Sequence, residues 1–207
     1  MATDQLSSLN LKGSTEVVCD LLYYCVHNIS YLRGVYHSNL YEYETKWDQK
    51  VFVCQNEQMQ KYVSKMIDSF RIWMLNKEAR SIVLVLCDAI TDERLERWQF
   101  DITLDDESIS ADVSKPVDNR KLRSQLRQLI YQIHNIMLLL PQLPDTTITL
   151  KLLIYTKENA TVSEEFLETT QHLIAEPQSI DFDKVNTNIH TVKSSVQYKK
   201  DSNMTTI

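Results

Sequence analysis

The chain has 207 residues, of which 43% are hydrophobic and 24% are charged, the composition of a globular protein with enough apolar mass for a core. Its net charge is -6 and it contains no block of basic residues, so composition excludes the clustered Lys and Arg of a nucleic-acid-binding protein. Only two glycines are present, which excludes glycine-rich phosphate-binding loops.

The first third of the sequence predicts a helix, a short strand and a second helix. Residues 14–33 place apolar side chains at three- and four-residue steps, and Gly34 follows where a left-handed C-terminal residue is favoured. Residues 50–54 ("KVFVC") predict a strand, and Asn56 is placed to cap the second helix. The inner face of that helix carries large apolar side chains: Met59, Tyr62, Val63, Met66, Phe70 and Trp73.

The middle of the sequence predicts a hairpin, a third helix and a further strand. Residues 81–90 form a continuous apolar run and residues 94–102 ("RLERWQFDI") alternate, which favours two strands joined by a polar turn. The acidic residues 105–119 predict a mobile loop. A broad apolar face predicts a helix over 119–140, and the β-branched residues of 146–156 ("TTITLKLLIYT") predict a strand.

The C-terminal part of the chain differs in character. The residues that follow Thr156 are polar and weakly patterned, whereas residues 181–200 predict a final strand pair. One face of its last strand carries His190, Val192, Val196 and Tyr198, the period of a half-buried strand. Either the strand over 146–156 is a sheet edge that the C-terminal module or a ligand peptide covers, or it is a permanent central strand.

The order of the elements and the cysteines predict the fold class and the compartment. Helices and strands do not alternate regularly, which favours an α+β fold with helices packed on one sheet. The first residues lack the apolar core of a signal peptide, and the most apolar run, residues 129–140, is too short to span a bilayer. Four cysteines without a CxxC pair predict reduced thiols in the cytosol or nucleus.

The sequence offers no motif for catalysis, a metal or a cofactor. Five scattered histidines show no metal-ligand spacing, and each cysteine falls on an apolar helix face or in a strand, where an inert role is expected. The chain is therefore expected not to be an enzyme. The alternative of an enzyme that uses a Cys–His pair stays open at this point, because such pairs meet only in space.

Six segments carry a resemblance to a known family. They are "LKGSTEVV", "YLRGVY", "LERWQFDI", "LLPQL", "LLIYT" and "IHTVKSSVQYK", and they occur in this order along nearly the whole chain. Together they resemble the HORMA domain, and within it the mitotic arrest deficient two group of the spindle assembly checkpoint. The resemblance implies a HORMA fold, with three main helices on a largely antiparallel sheet and a mobile C-terminal safety-belt module. It implies one domain over residues 1–207, with a flexible N-terminus (1–10), a core (about 11–156) and a belt (about 157–207).

The resemblance also implies a switch in the pairing of the belt. In the open state the belt covers one edge of the sheet, and in the closed state it crosses to the other side and traps a partner peptide against the edge strand. The implied belt residues are His190, Val192, Val196 and Tyr198, and the implied belt supports are Trp73 and Trp98. The implied ligand edge consists of Thr149, Leu150, Lys151, Leu152, Leu153, Ile154 and Tyr155.

The implied function is capture and inhibition of the activator of the anaphase-promoting complex, which delays anaphase. The other implied partners are a kinetochore coiled-coil checkpoint protein, the kinase-like subunit of the mitotic checkpoint complex, and an AAA ATPase with a HORMA adaptor that engages the N-terminus. Nucleus, kinetochore and cytoplasm are the implied locations, and no nucleic acid or membrane is implied. The alternative is a HORMA adaptor in DNA repair, of the translesion polymerase zeta type, or in meiotic chromosome axes.

Two groups of residues concern regulation. The family's third helix usually shows Arg before Gln-Ile, whereas this chain has Tyr131 before Gln132. Tyr131, Gln132 and Leu139 are the candidate surface for an open–closed homodimer or for the adaptor, and a tyrosine supplies area and a hydroxyl there but no guanidinium. Ser194 and Ser195 are candidate phosphorylation sites, because a phosphate would place charge on a packed strand.

Overall fold

The computed structural model describes residues 11–105, 119–162 and 165–199. These residues contain three α-helices: α1 (Leu11–Leu32), α2 (Glu57–Leu75) and α3 (Asn119–Ile136). They contain eight strands: β1 (Tyr41–Lys46), β2 (Gln49–Cys54), β3 (Ala79–Asp88), β4 (Arg94–Leu104), β5 (Ile148–Thr156), β6 (Pro177–Asp181), β7 (Val185–Asn186) and β8 (His190–Lys199).

Six strands form one antiparallel sheet, and β1 and β2 form a separate hairpin. The order in the sheet is β5-β3-β4-β8-β6, and β7 also pairs with β8. Leu84 in the central strand β3 lies between Trp98 of β4 and Leu152 of β5. Val196 of β8 lies opposite Trp98 on the other side of β4. The C-terminal strand therefore pairs on the opposite side of the sheet from β5.

The main core lies between one face of this sheet and the helices. Alternate residues of β3, Ile82, Leu84 and Leu86, face α1, α2 and α3 in the main core cluster. The intervening residues, Val83 and Val85 among them, pack on the other face with Leu153 and Tyr155. Because both faces of β3 are buried, this strand reads as a continuous apolar run in the sequence.

The local signals in the sequence agree with the observed caps. Gly34, which follows α1 after Arg33, adopts φ +64, and the Asn56 side chain accepts a hydrogen bond from Met59 N (3.1 Å) at the start of α2. The α+β prediction, with three helices on an antiparallel sheet, is confirmed.

Several boundaries differ from the prediction. α3 ends at Ile136 rather than at residue 140, and the chain continues in turns that keep Leu140 buried. β1 was not predicted, because Tyr41 is the one buried side chain in this strand and the pattern lacks an apolar face. Its hairpin turns at Trp47 and Asp48, both with positive φ.

Some predictions fall on residues that the structure does not describe. The flexible N-terminus (1–10), most of the mobile loop (106–118) and the last belt residues (200–207) lie outside the described residues. In the described part of the chain, no helix is long and apolar enough to cross a membrane.

Candidate functional site

One edge of the sheet, at β5, is free of a strand partner. In the described residues, β5 pairs with β3 and has no strand on its other side. Of the two alternatives left open by the sequence, the structure therefore has the edge rather than the central strand. All seven residues predicted for the ligand edge lie in this strand: Thr149, Leu150, Lys151, Leu152, Leu153, Ile154 and Tyr155.

The chain after β5 passes around this free edge. We call residues 157–176, of which 163–164 are not described, the crossing segment. On the helix side, Trp73 Nε1 donates to the carbonyl oxygen of Thr161 (3.0 Å) and the Trp73 ring packs edge-on against Phe166 (5.2 Å between centroids). On the opposite face of the sheet, the Tyr155 hydroxyl donates to the carbonyl oxygen of Gln171 (3.1 Å). The crossing segment is therefore fastened on both sides of β5.

A cavity of about 390 Å³ lies between the edge of β5 and the crossing segment. Residues 152–157 form one wall, and Phe166 and Leu167 belong to the opposite wall. Met66 and Trp73 of α2 line its inner side. A free strand edge beside apolar side pockets is suited to bind an extended peptide as an added strand.

The terminal strand β8 is packed far more tightly than the crossing segment. The four predicted belt residues, His190, Val192, Val196 and Tyr198, are all buried and face the core. On the preceding loop, Phe182 stacks parallel to Trp98, with 5.9 Å between ring centroids. The two predicted supports therefore both contact residues after Thr156, while their role in holding a belt stays a prediction.

A buried hydrogen-bond chain joins the start of β8 to the start of α1. Ser14 Oγ lies 2.6 Å from His190 Nδ1 and 2.6 Å from Thr187 Oγ1. The His190 backbone N–H donates to Thr187 Oγ1 (2.8 Å). Burial lowers the pKa of His190 to about 4, so the imidazole is neutral near pH 7. We call Ser14, Thr187 and His190 the polar knot.

A buried ion pair lies beneath the other end of β8. Arg33 lies 2.5 Å from Glu96 Oε1, and Trp98 Nε1 donates to Glu96 Oε2 (3.0 Å). Glu96 lies directly opposite Tyr198 in the sheet. Burial raises the pKa of Glu96, and the charge of Arg33 opposes that rise. Removal of either partner would leave a lone buried charge, which is costly.

The three residues of the predicted interaction surface lie on α3 and in the turn that follows it, and their environments differ. Tyr131 and Leu139 are exposed (52% and 68%), as an interface requires. Gln132 is instead engaged within the chain: its Nε2 donates to Asp183 Oδ2 (2.8 Å) and its Oε1 accepts from the backbone N–H of Asp183 (3.0 Å). Gln132 thus anchors the connection between β6 and β7 to α3.

The two candidate phosphorylation sites have opposite environments. Ser194 faces the core, is 5% exposed, and its hydroxyl has no hydrogen-bond partner among the described residues. Ser195 is partly exposed and lies opposite Gln99 and Asp181. A kinase can therefore reach Ser194 only when β8 has left the sheet.

The thiols that the enzyme alternative would require are buried. All four cysteines, Cys19, Cys25, Cys54 and Cys87, are free and buried. Burial raises the pKa of the Cys19 thiol to about 12, and burial also raises the pKa of Cys25, so neither forms a thiolate nucleophile near neutral pH. In the ranges that the structure describes, no group of three or more metal-ligating side chains occurs.

Three contacts of this site were not found from the sequence. The Leu152 backbone N–H donates to the Tyr62 hydroxyl (2.8 Å), and the Asn186 backbone N–H donates to Gln125 Oε1 (3.0 Å). Trp73 binds a backbone carbonyl of the crossing segment. Each is a side chain bound to a backbone group far along the chain, and such contacts leave no signal in local periodicity.

Comparison with known proteins places this architecture in a family. The HORMA domain family matches residues 14–190. The curated "Mitotic spindle assembly checkpoint protein MAD2A" of Dictyostelium discoideum is 30% identical over 93% of this chain and 94% of its own length. A chain of the "Crystal Structure of Mitotic Checkpoint Complex" aligns with TM-score 0.81 and 23% identity, covering 91% of this chain and 99% of its own. HTP-2 of C. elegans bound to the HIM-3 closure motif aligns with TM-score 0.75 and 10% identity over 92% of both chains, a likeness of fold alone.

Proposed function

Because this chain belongs to the HORMA domain family and, within it, to the mitotic arrest deficient two group of spindle checkpoint proteins, we propose that it captures and inhibits the activator of the anaphase-promoting complex and so delays anaphase. The observation that carries this proposal is the cavity between the free edge of β5 and the crossing segment. A peptide added there gains main-chain hydrogen bonds from β5 and is enclosed by the crossing segment. The chain acts by binding, not by catalysis.

The position of β8 supports a closed state as the capturing form. β8 pairs with β4, on the far side of the sheet from β5, so the C-terminal module leaves the ligand edge free. In the open state we propose that this module covers the edge of β5 instead. A ligand shifts the equilibrium between the two states only by its differential affinity, and an enclosed peptide binds the closed state alone.

The further partners follow from the same family. We propose that a kinetochore coiled-coil protein presents an equivalent peptide, and that the kinase-like subunit of the mitotic checkpoint complex joins the activator complex. An AAA ATPase with its adaptor would restore the open state, and the exposed Tyr131 and Leu139 are the candidate surface for that adaptor or for a second copy. These partners imply action at kinetochores, in the nucleus and in the cytoplasm.

A peptide-exchange experiment tests the capture proposal. Purified protein would be mixed with a synthetic peptide from the checkpoint-binding region of the activator, and amide hydrogen exchange recorded with and without it. We expect slow, tight binding and new protection of the outward amides of β5. Two control peptides would carry backbone N-methyl groups at alternate residues: methylation in one register removes the bonds to β5 and should abolish binding, while the other register should be tolerated.

Other outcomes distinguish the alternatives. Binding of both methylated peptides with equal affinity would show that the peptide does not add to the sheet. Preferential capture of peptides from a translesion polymerase or from a meiotic axis protein would favour an adaptor role in DNA repair or meiosis. No retention of any of these peptides would overturn the capture proposal.

A further inference from the structure

The ligand edge of β5 carries a side chain from another element. The backbone N–H of Leu152 points away from β3 and donates to the hydroxyl oxygen of Tyr62, at 2.8 Å. Tyr62 lies on α2 and is 36% exposed, so most of its ring is held against the protein. One outward donor of the edge strand is therefore already satisfied before any strand is added.

This hydroxyl stands where the backbone of an added strand would bond. A strand that pairs with β5 would place a carbonyl oxygen about 2.9 Å from an outward N–H, which is where the Tyr62 oxygen lies. In an antiparallel sheet, outward backbone groups recur at every second residue, so Leu150, Ile154 and Thr156 share the outward set with Leu152. A carbonyl oxygen and the Tyr62 oxygen cannot occupy the Leu152 position together.

On β5, the wall of the cavity begins at Leu152, the residue whose backbone N–H binds Tyr62. This wall runs over residues 152–157, and Thr149, Leu150 and Lys151 do not line it. At the usual rise this wall is roughly 20 Å long. Lys151, just beyond this limit, bonds instead to Asp92 (2.5 Å) on the opposite face of the sheet. The extent of the cavity and the position of Tyr62 thus agree on where the open part of the edge begins.

We propose that Tyr62 is a register stop, which confines the backbone pairing of a captured peptide to the part of β5 from Ile154 onward. The proposal rests on the proposed function, since it concerns the peptide captured at β5. The predicted ligand edge over residues 149–155 is then displaced toward the C-terminal end of the strand. Tyr62 would determine which residues of a ligand lie in the cavity and would exclude a longer ladder.

The test compares Tyr62→Phe with a matched control. The substitution removes one oxygen atom and keeps the ring, so the fold is preserved while the Leu152 N–H is released. Tyr43→Phe is the control, because Tyr43 is 64% exposed on the β1–β2 hairpin, away from this edge. The probes are peptides selected from a random library displayed on phage by the immobilised wild-type protein, each synthesised as selected and with two residues added at the end that lies near Leu152.

We expect two results. In the free proteins, the Leu152 amide should exchange about tenfold faster in Tyr62→Phe than in the wild type or in Tyr43→Phe, because its hydrogen bond is lost. In the complexes, the wild type should protect Ile154 and Thr156 but not Leu150. The extended peptides should bind Tyr62→Phe about two- to tenfold more tightly than the wild type, since one further backbone bond can form.

The results that would contradict the register stop differ from those that would contradict peptide capture. Captured peptide that protects Leu150 in the wild type, or equal affinity of extended peptides for both proteins, would overturn the register stop and leave peptide capture standing. If the library yielded no retained peptide at all, the capture function would fail, and the register stop with it.

Discussion

The two parts of the C-terminal module are held in different ways. The crossing segment is mostly exposed and is fastened at a few points, chiefly by Trp73 and Tyr155, whose polar atoms bind its backbone carbonyls. The terminal strand β8 is bonded to β4 along its full length and buries one whole face. A segment held by a few separate contacts can detach locally at a small free-energy cost. A buried strand leaves the sheet only in a larger, cooperative unfolding step. We therefore expect a short peptide with free ends to enter beneath the crossing segment while β8 stays paired, whereas a peptide flanked by folded domains requires β8 to detach.

A carboxylate at Ser194 should have the largest effect on β8. Ser194→Asp would place an unpaired charge at a core-facing position, which costs about 3–5 kcal/mol. Ser195→Asp is the matched control on the partly exposed face and should cost less than about 1 kcal/mol. Urea unfolding measures both, and exchange of the β8 amides shows whether the strand detaches. We expect weaker peptide capture for Ser194→Asp, and equal effects of the two variants would contradict the assigned faces.

Acidification should weaken the polar knot. Burial lowers the pKa of His190 from about 6.5 to about 4, so between these values the unfolded chain binds a proton that the folded chain does not. The contribution of His190 is complete above pH 6.5 and is lost as the pH falls toward 4. Between about pH 7 and pH 5 the free energy of unfolding should fall by about 2 kcal/mol from this residue. In His190→Gln, the measured free energy of unfolding should therefore fall by about 2 kcal/mol less than in the wild type over this range of pH.

The titration of His27, a second buried histidine, also makes the free energy of unfolding depend on pH. Burial also lowers the pKa of His27 to about 4, and His27 lies in α1, away from the C-terminal module. The slope that remains in His190→Gln should therefore contain the share of His27 and those of His134 and His172, whose pKa values burial also lowers. An unchanged slope in this variant would show that His190 does not titrate with folding.

Removal of one hydroxyl from the polar knot should have a smaller, more local effect. Ser14→Ala leaves the hydroxyl of Thr187 and Nδ1 of His190 without their shared partner, at a cost of about 1–3 kcal/mol. Amides at the start of β8 should exchange faster while those of β3 stay protected. Ser64→Ala, on the exposed face of α2, is the control and should change neither. Uniform loss of protection across the sheet would mean that β8 and the core unfold as one unit.

The crossing segment should show the smallest effect of all. Phe166→Ala removes the ring that packs on Trp73 and should cost about 0.5–1.5 kcal/mol. We expect faster exchange of amides in residues 165–171 and faster dissociation of a bound peptide, with no change in β8. Protection lost in β8 as well would show that the two parts of the module open together.

Sequence periodicity predicted the regular elements well because their burial is periodic. The apolar run of β3, the alternation of β8 and the apolar face of α3 each follow from one packed face. The path of the crossing segment could not be predicted in this way. Trp73 and Tyr155 bond to the backbone carbonyl oxygens of Thr161 and Gln171. Every residue has such an oxygen, so the sequence does not show which ones are bound.

The roles of single polar side chains were predicted least well. Tyr62 fits the apolar face of α2 as an ordinary core residue, and only the position of β5 reveals what its hydroxyl binds. Gln132 was predicted as part of an interface with another molecule, which stays a prediction, and its bonds to Asp183 of its own chain were not predicted. In both cases the side chain bonds to a backbone group that is at least 51 residues away along the chain. Patterns in a single sequence carry no information about such pairs.

The passage of the crossing segment around β5 also has a mechanical consequence. The segment is covalently continuous with β5 at one end and with β6 at the other, so a protein captured through an internal peptide is a thread through a ring. When folded domains flank that peptide on both sides, tension along the thread cannot draw it out. The lifetime of the complex under load would then be set by the pairing of β8 with β4, which closes the ring. Loss of the Trp73 or Tyr155 contact would loosen the ring without opening it.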